Sequence, residues 1–164
     1  MRVFAVSGYS GAGKTSLVEA IVRSLVMSGH SVATIKSSLH KAGPNRGTDT
    51  WKHMQAGASE VVFLGPSKKT TRFRERIGSE ELSRLTKYDF LIVEGMKSVD
   101  IPKFWCVGDS EIDPNDIPVN TQAIVSWSVR RSDVNGGIRI ISADNIHELV
   151  DIVKNKSVNL MDIE

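Results

Sequence analysis

The chain has 164 residues, 40% hydrophobic and 24% charged, with 21 Lys and Arg against 19 Asp and Glu for a formal charge of +2. That balance excludes a disordered polyelectrolyte and carries no bulk signature of a nucleic-acid or membrane-surface partner. The lone cysteine, Cys106, precludes an internal disulfide, and no apolar run approaches the roughly 20 residues that span a bilayer.

Residues 2–7, with the apolar run Val3-Phe4-Ala5-Val6 and no strict alternation, read as a buried parallel strand. Next comes Gly8-Tyr9-Ser10-Gly11-Ala12-Gly13-Lys14-Thr15, which matches G-x-x-x-x-G-K-[ST]. Helical spacing of Leu17, Val18, Ile21, Val22 and Leu25 predicts a helix over 14–28, stopped by Gly29. A strand over 32–35 leads to Lys36 and a polar loop, 37–48. Thr48 or Asp49 caps a short helix over 49–56, ended by Gly57. Strand 60–64 stops at Gly65-Pro66, an extended piece is expected over 69–74, and Ser79 opens a helix over 79–86. The strongest later strand, 90–93, ends at Glu94-Gly95; others are expected near 103–107, 122–127 and 138–141, before a final helix over 144–154. Strands interleaved with helices predict an α/β fold: one P-loop NTPase-like domain over 1–164, with a mostly parallel central sheet and helices on both faces. Ligands in such sheets bind beyond the carboxyl ends of the strands. The chain enters its first strand after a single arginine, which is unlike a secretory signal and points to the cytoplasm.

The P-loop carries the clearest chemistry. Its glycines let successive N–H groups converge on an anion, and the following helix adds the positive end of its dipole. Lys14 can reach the β- and γ-phosphates of a nucleotide, and the Thr15 hydroxyl can ligate Mg²⁺. Glu94 ends an apolar strand on the same edge, where a carboxylate can hold that ion or orient a water; Asp89, at the strand's start, points away. Asp49 is a second metal or γ-phosphate candidate and equally a helix cap; Lys36 is a phosphate counter-charge or a solvated strand-end lysine. In the basic run Lys68 to Arg76, an extended chain puts Arg72, Arg74 and Arg76 on one face, either as a solubilising edge strand or facing an anion. His30, His40, His53 and His147 lack zinc-site spacing, and only His40 lies near the expected nucleotide. Trp51, Trp105 and Trp127 read as core or interface residues rather than stacking platforms, and Cys106 as a buried strand thiol.

In their order along the chain, several segments resemble one family. They are Val6 to Thr15, Ile35-Lys36, Gly47-Thr48-Asp49-Thr50, Ala56-Gly57-Ala58, Val93-Glu94-Gly95-Met96-Lys97 and Pro102-Lys103. The family is molybdopterin-guanine dinucleotide biosynthesis protein B (MobB), and the resemblance covers nearly the whole chain. It implies a small, dimeric, weakly GTP-hydrolysing protein assisting attachment of GMP to molybdopterin beside a guanylyltransferase. Carried over, nucleotide phosphates fall on Gly11, Ala12, Gly13, Lys14, Thr15 and Ser16. Magnesium falls on Thr15 with Glu94 and Asp49, and Lys97 becomes a site candidate. The chain departs from the family where Ser37-Ser38-Leu39-His40 follows the Ile-Lys pair, where Thr48 replaces a lysine, and at Met96 before Lys97. No N-K-x-D motif marks guanine, though Ser142-Ala143-Asp144 could lie against a base. Two other readings use the same residues: a small-molecule kinase with an arginine lid, and a nucleotide-dependent binding module without significant turnover. Sparse Cys and His argue against a metal-inserting GTPase.

Overall fold

The computed structural model describes residues 1–38, 45–65, 72–128 and 137–163. Its centre is a sheet ordered β3-β2-β4-β1-β5-β6-β7, built from β1 (Arg2–Gly8), β2 (Val32–Ser37), β3 (Glu60–Leu64), β4 (Phe90–Glu94), β5 (Lys103–Cys106), β6 (Thr121–Ser126) and β7 (Ile140–Ser142). These seven strands are parallel neighbours. An antiparallel two-residue strand, β8 (Val158–Asn159), pairs with Arg2 and Val3, leaving β5 to pair with β1 only from Ala5 onward.

Alternation along the strands sorts side chains between two cores. Phe4, Val6, Phe90, Ile92, Phe104 and Cys106 face one side, where they pack with α1 (Lys14–Met27), Ala56 beside α2 (Asp49–Gln55), and α5 (Ile146–Lys156). Val3, Ala5, Ala33, Ile35, Leu91 and Val93 face the other, against α3 (Phe73–Ile77), α4 (Ser79–Leu85) and the C-terminal turn carrying Leu160 and Ile163. The expected fold is therefore present: a P-loop NTPase-like parallel sheet with helices on both faces. Continuing the same parity, Thr34, Lys36 and Glu94 fall on the α1 side, and register places Val6, Lys36 and Glu94 side by side at the carboxyl edge.

One expected element is different. Of the extended piece expected over 69–74, residues 69–71 lie outside the described residues, but Phe73–Ile77 is helical. Phe73 and Ile77 are both buried while Glu75 between them is exposed, which a helical turn allows and an extended chain, with all three on one face, does not. The stripe of Arg72, Arg74 and Arg76 dissolves with it. Arg74 donates to the carbonyls of Leu160 and Ile163, Arg76 to the carbonyl of Gly65 and the Ser37 hydroxyl, and Arg72 to Glu75. The last helix begins two residues later than expected, at Ile146.

Candidate functional site

The P-loop joins β1 to α1. Gly11 and Gly13 adopt left-handed φ values of +72° and +76°, and Gly13 is the N-cap of α1 with no side chain capping it. The first-turn amides of a 14-residue helix are thus left to whatever occupies the loop. Lys14 folds back over that loop: its ammonium donates to the Gly8 carbonyl at 3.3 Å and to the Tyr9 carbonyl. Burial lowers its pKa below the ordinary lysine value. Ser10, Gly11 and Ser16 are exposed, whereas Ala12 is buried.

Beside the loop lies a cluster centred on Glu94, which is only 1% exposed. The Thr15 hydroxyl donates to Glu94 Oε1 at 2.9 Å, and the Lys36 ammonium meets the same oxygen. Lys36 also pairs with Asp49 Oδ2 at 2.6 Å. His53, fully buried on α2, sits 2.8 Å from Glu94 Oε2 through Nε2 and 3.1 Å from the Thr34 hydroxyl through Nδ1. A carboxylate only accepts, so His53 donates to Glu94 from Nε2. Burial pushes Glu94 up, but the His53 hydrogen bond and the charge of Lys36 outweigh it, leaving the carboxyl below its ordinary range. Asp49 is likewise held low: burial raises it, and the hydrogen bond and charge of Lys36 reverse that. Lys36 is the complement, lowered by burial and raised further by Glu94 and Asp49.

Thr48, not Asp49, caps α2, its hydroxyl accepting from Trp51 N at 3.4 Å; Asp49 is thereby free to face Lys36. Lys14, Thr15, Lys36, Asp49 and Glu94 therefore converge. Lys97 does not join them: it lies on the loop after β4 and lines a hollow of about 340 Å³ with Lys103, Pro118 and Val119. The buried Lys103 donates to the carbonyls of Lys97 and Val99, tying that loop to β5, and burial pushes its pKa down to about 8. Asp89 sits at the opposite end of β4, accepting from Ser31. His40 lies outside the described residues.

Two neighbours escaped the sequence reading. His53 follows Asp49 by four residues, so a helix over this stretch puts both on one face, which was the available signal. Trp127, the first residue after β6, is 41% exposed with its indole edge against Gly13; only its position at a strand's carboxyl end hinted at this.

The donor set suits magnesium. Mg²⁺ favours oxygen ligands, keeps several waters, and is held by one or two carboxylates plus substrate phosphates rather than by a protein cage. Thr15 and Glu94 supply such oxygens, and no group of three or more His, Cys, Asp or Glu forms a ready cage among the described residues.

Comparison with known proteins places this geometry in context. The profile of a family described as "Molybdopterin guanine dinucleotide synthesis protein B" matches residues 3–127. A putative molybdopterin-guanine dinucleotide biosynthesis adapter protein of Methanocaldococcus jannaschii is 36% identical over 119 residues, covering 68% of this chain and 49% of that protein. The molybdopterin-guanine dinucleotide biosynthesis adapter protein of Haemophilus influenzae is 32% identical over 104 residues, covering 60% of this chain and 58% of its own length. The chain thus spans about half the length of these curated relatives. The crystal structure of Bacillus subtilis MobB shares the fold, with a TM-score of 0.63 at 22% identity, covering 97% of this chain and 99% of that one.

Proposed function

As this chain belongs to the molybdopterin guanine dinucleotide synthesis protein B family, we propose that it is a GTP-binding, weakly GTP-hydrolysing adapter for formation of molybdopterin guanine dinucleotide. It acts in the cytoplasm as a single-domain homodimer, beside a guanylyltransferase that handles the molybdopterin. One observation carries the nucleotide-binding reading: an uncapped, glycine-bent P-loop whose Lys14 rests on its own loop carbonyls, with Thr15 2.9 Å from a buried Glu94.

In this reading the amides of residues 11–16 take the phosphates, and Lys14 exchanges the Gly8 and Tyr9 carbonyls for β- and γ-phosphate oxygens. Thr15 and Glu94, with Asp49 nearby, would hold Mg²⁺. The chemistry it supplies when bound is neutralisation of charge on the β- and γ-phosphates. Glu94 already accepts from three donors, so the more exposed Asp49 is the better placed carboxylate for orienting an attacking water. Slow turnover follows, because Lys36, the second cation at the cluster, is committed to Glu94 and Asp49 rather than to a developing phosphate charge. The arginine lid that a kinase reading needs gains no support: Arg74 and Arg76 hold backbone carbonyls.

Thermal denaturation with GTP, ATP or GDP, each with Mg²⁺, tests this reading. At about 100 times Kd a bound ligand stabilises by about 2.7 kcal/mol, which for a chain of this size raises Tm by roughly 5–10 °C. GTP is expected to give that shift and ATP a smaller one. Unchanged Tm with all three nucleotides would contradict nucleotide binding.

A further inference from the structure

We infer that Trp127 is a stacking platform for the nucleobase of the bound nucleotide. The inference rests on the nucleotide-binding reading above and deepens it. The Glu94 cluster is drawn from β2, β4 and α2, all on one side of β1. The terminal phosphate belongs on that side, beside Thr15 and Glu94. The phosphate chain then crosses the P-loop, and the nucleoside leaves it over the carboxyl ends of β5 and β6, on the other side of β1.

Trp127 stands at that exit. A Cβ added to Gly13 would overlap the indole nitrogen and lie 2.8 Å from Cε2, so the pyrrole edge rests directly on the loop. The side chain nevertheless remains 41% exposed, one of few large apolar groups so placed among the described residues. The residue before it is anchored. Ser126 Oγ donates to the Ser128 carbonyl at 2.7 Å and lies 3.1 Å from that of Gly108, and Ala143 N donates to Ser126 O at 2.9 Å. Gly108 itself abuts the P-loop, where an added Cβ would come within 3.2 Å of Ala12 Cα. A fixed, half-exposed indole beside a phosphate cradle offers an aromatic face to a flat base. Stacking accepts any base, because every base has a π-face. Trp127 therefore adds affinity for guanine and adenine nucleotides alike, and guanine preference arises elsewhere.

The test is calorimetric titration of the wild-type chain, Trp127→Ala and Trp127→Phe with Mg-GTP, Mg-ATP and Mg-tripolyphosphate. Loss of one base–aromatic stack weakens binding by about tenfold or more. Trp127→Ala should raise Kd for both nucleotides by about that factor and leave tripolyphosphate within about twofold, while Trp127→Phe keeps most of the nucleotide affinity. Equal weakening of nucleotide and tripolyphosphate would make Trp127 a brace for the P-loop and overturn the inference, as would unchanged nucleotide affinity in Trp127→Ala. A wild-type chain that binds tripolyphosphate as tightly as GTP would overturn the stacking and leave the phosphate site standing. One that binds neither would remove the nucleotide-binding reading, and this inference with it.

Discussion

Replacing Lys36 with methionine tests the electrostatics of the site without altering the P-loop. The Lys36 ammonium lies between Glu94 Oε1 and Asp49 Oδ2, with side-chain exposures of 13%, 1% and 37% respectively. Removing one partner of a buried pair costs about 3–5 kcal/mol. Here Glu94 keeps Thr15 and His53 as donors, and the Asp49 arm is partly solvated, so Lys36→Met should cost about 2–3 kcal/mol. Combined with Glu94→Gln, which removes the stranded charge, the loss should fall short of the sum by about 1–2 kcal/mol. The pH dependence follows from the directions of the shifts. Glu94 and Asp49 are held below their ordinary values, so their contribution is present above the unfolded carboxylate range, near 4, and is lost as pH falls through the folded values. Lys36 is raised, so its contribution is complete below about 10.4 and is lost only as pH climbs through the higher folded value. The Lys36→Met penalty should be full at pH 7.5 and shrink towards pH 4, as the stranded Glu94 takes up a proton. Urea unfolding followed by circular dichroism reads these differences. A penalty under about 0.5 kcal/mol at pH 7.5, or an undiminished one at pH 4, would refute the reasoning, since an exposed pair is worth no more than about 1 kcal/mol.

Gly95→Ala should destabilise by about 2–4 kcal/mol, because φ is +101° there and the new Cβ would lie 2.7 Å from the Ser37 carbonyl; a Tm matching wild type would contradict this. Cys106, 1% exposed and with its pKa pushed up to about 12 by burial, should resist iodoacetamide at pH 8 in the folded protein and react fully in urea. Rapid labelling of the native chain would show that β5 opens readily at the edge of the P-loop.

The strand–P-loop–helix unit and Glu94 were legible in the sequence because each is written locally, as an apolar run, a motif, or a carboxylate ending a strand. What was not legible depends on distant partners. Phe73-Arg74-Glu75-Arg76-Ile77 puts Phe73 and Ile77 on one face of a strand or a helical turn alike, and only the exposure of Glu75 between them, which the fold decides, chooses the turn. Val158-Asn159 is too short to show a period, and is a strand only because β5 leaves the first residues of β1 unpaired on that side. Asp49 was balanced between cap and site until Thr48 took the cap. His53 read as one of four scattered histidines, since its link to Glu94 joins residues 41 positions apart. Trp127 read as core or interface because its contact with Gly13 exists only once β6 is laid two strands from β1.

Titration calorimetry of the wild-type chain and Lys14→Ala with Mg-GTP tests the central claim most directly. Saturable one-to-one binding by the wild type, lost in a Lys14→Ala variant that stays folded, is the predicted result. Equal affinity in the two proteins, or no heat from either, would contradict the account.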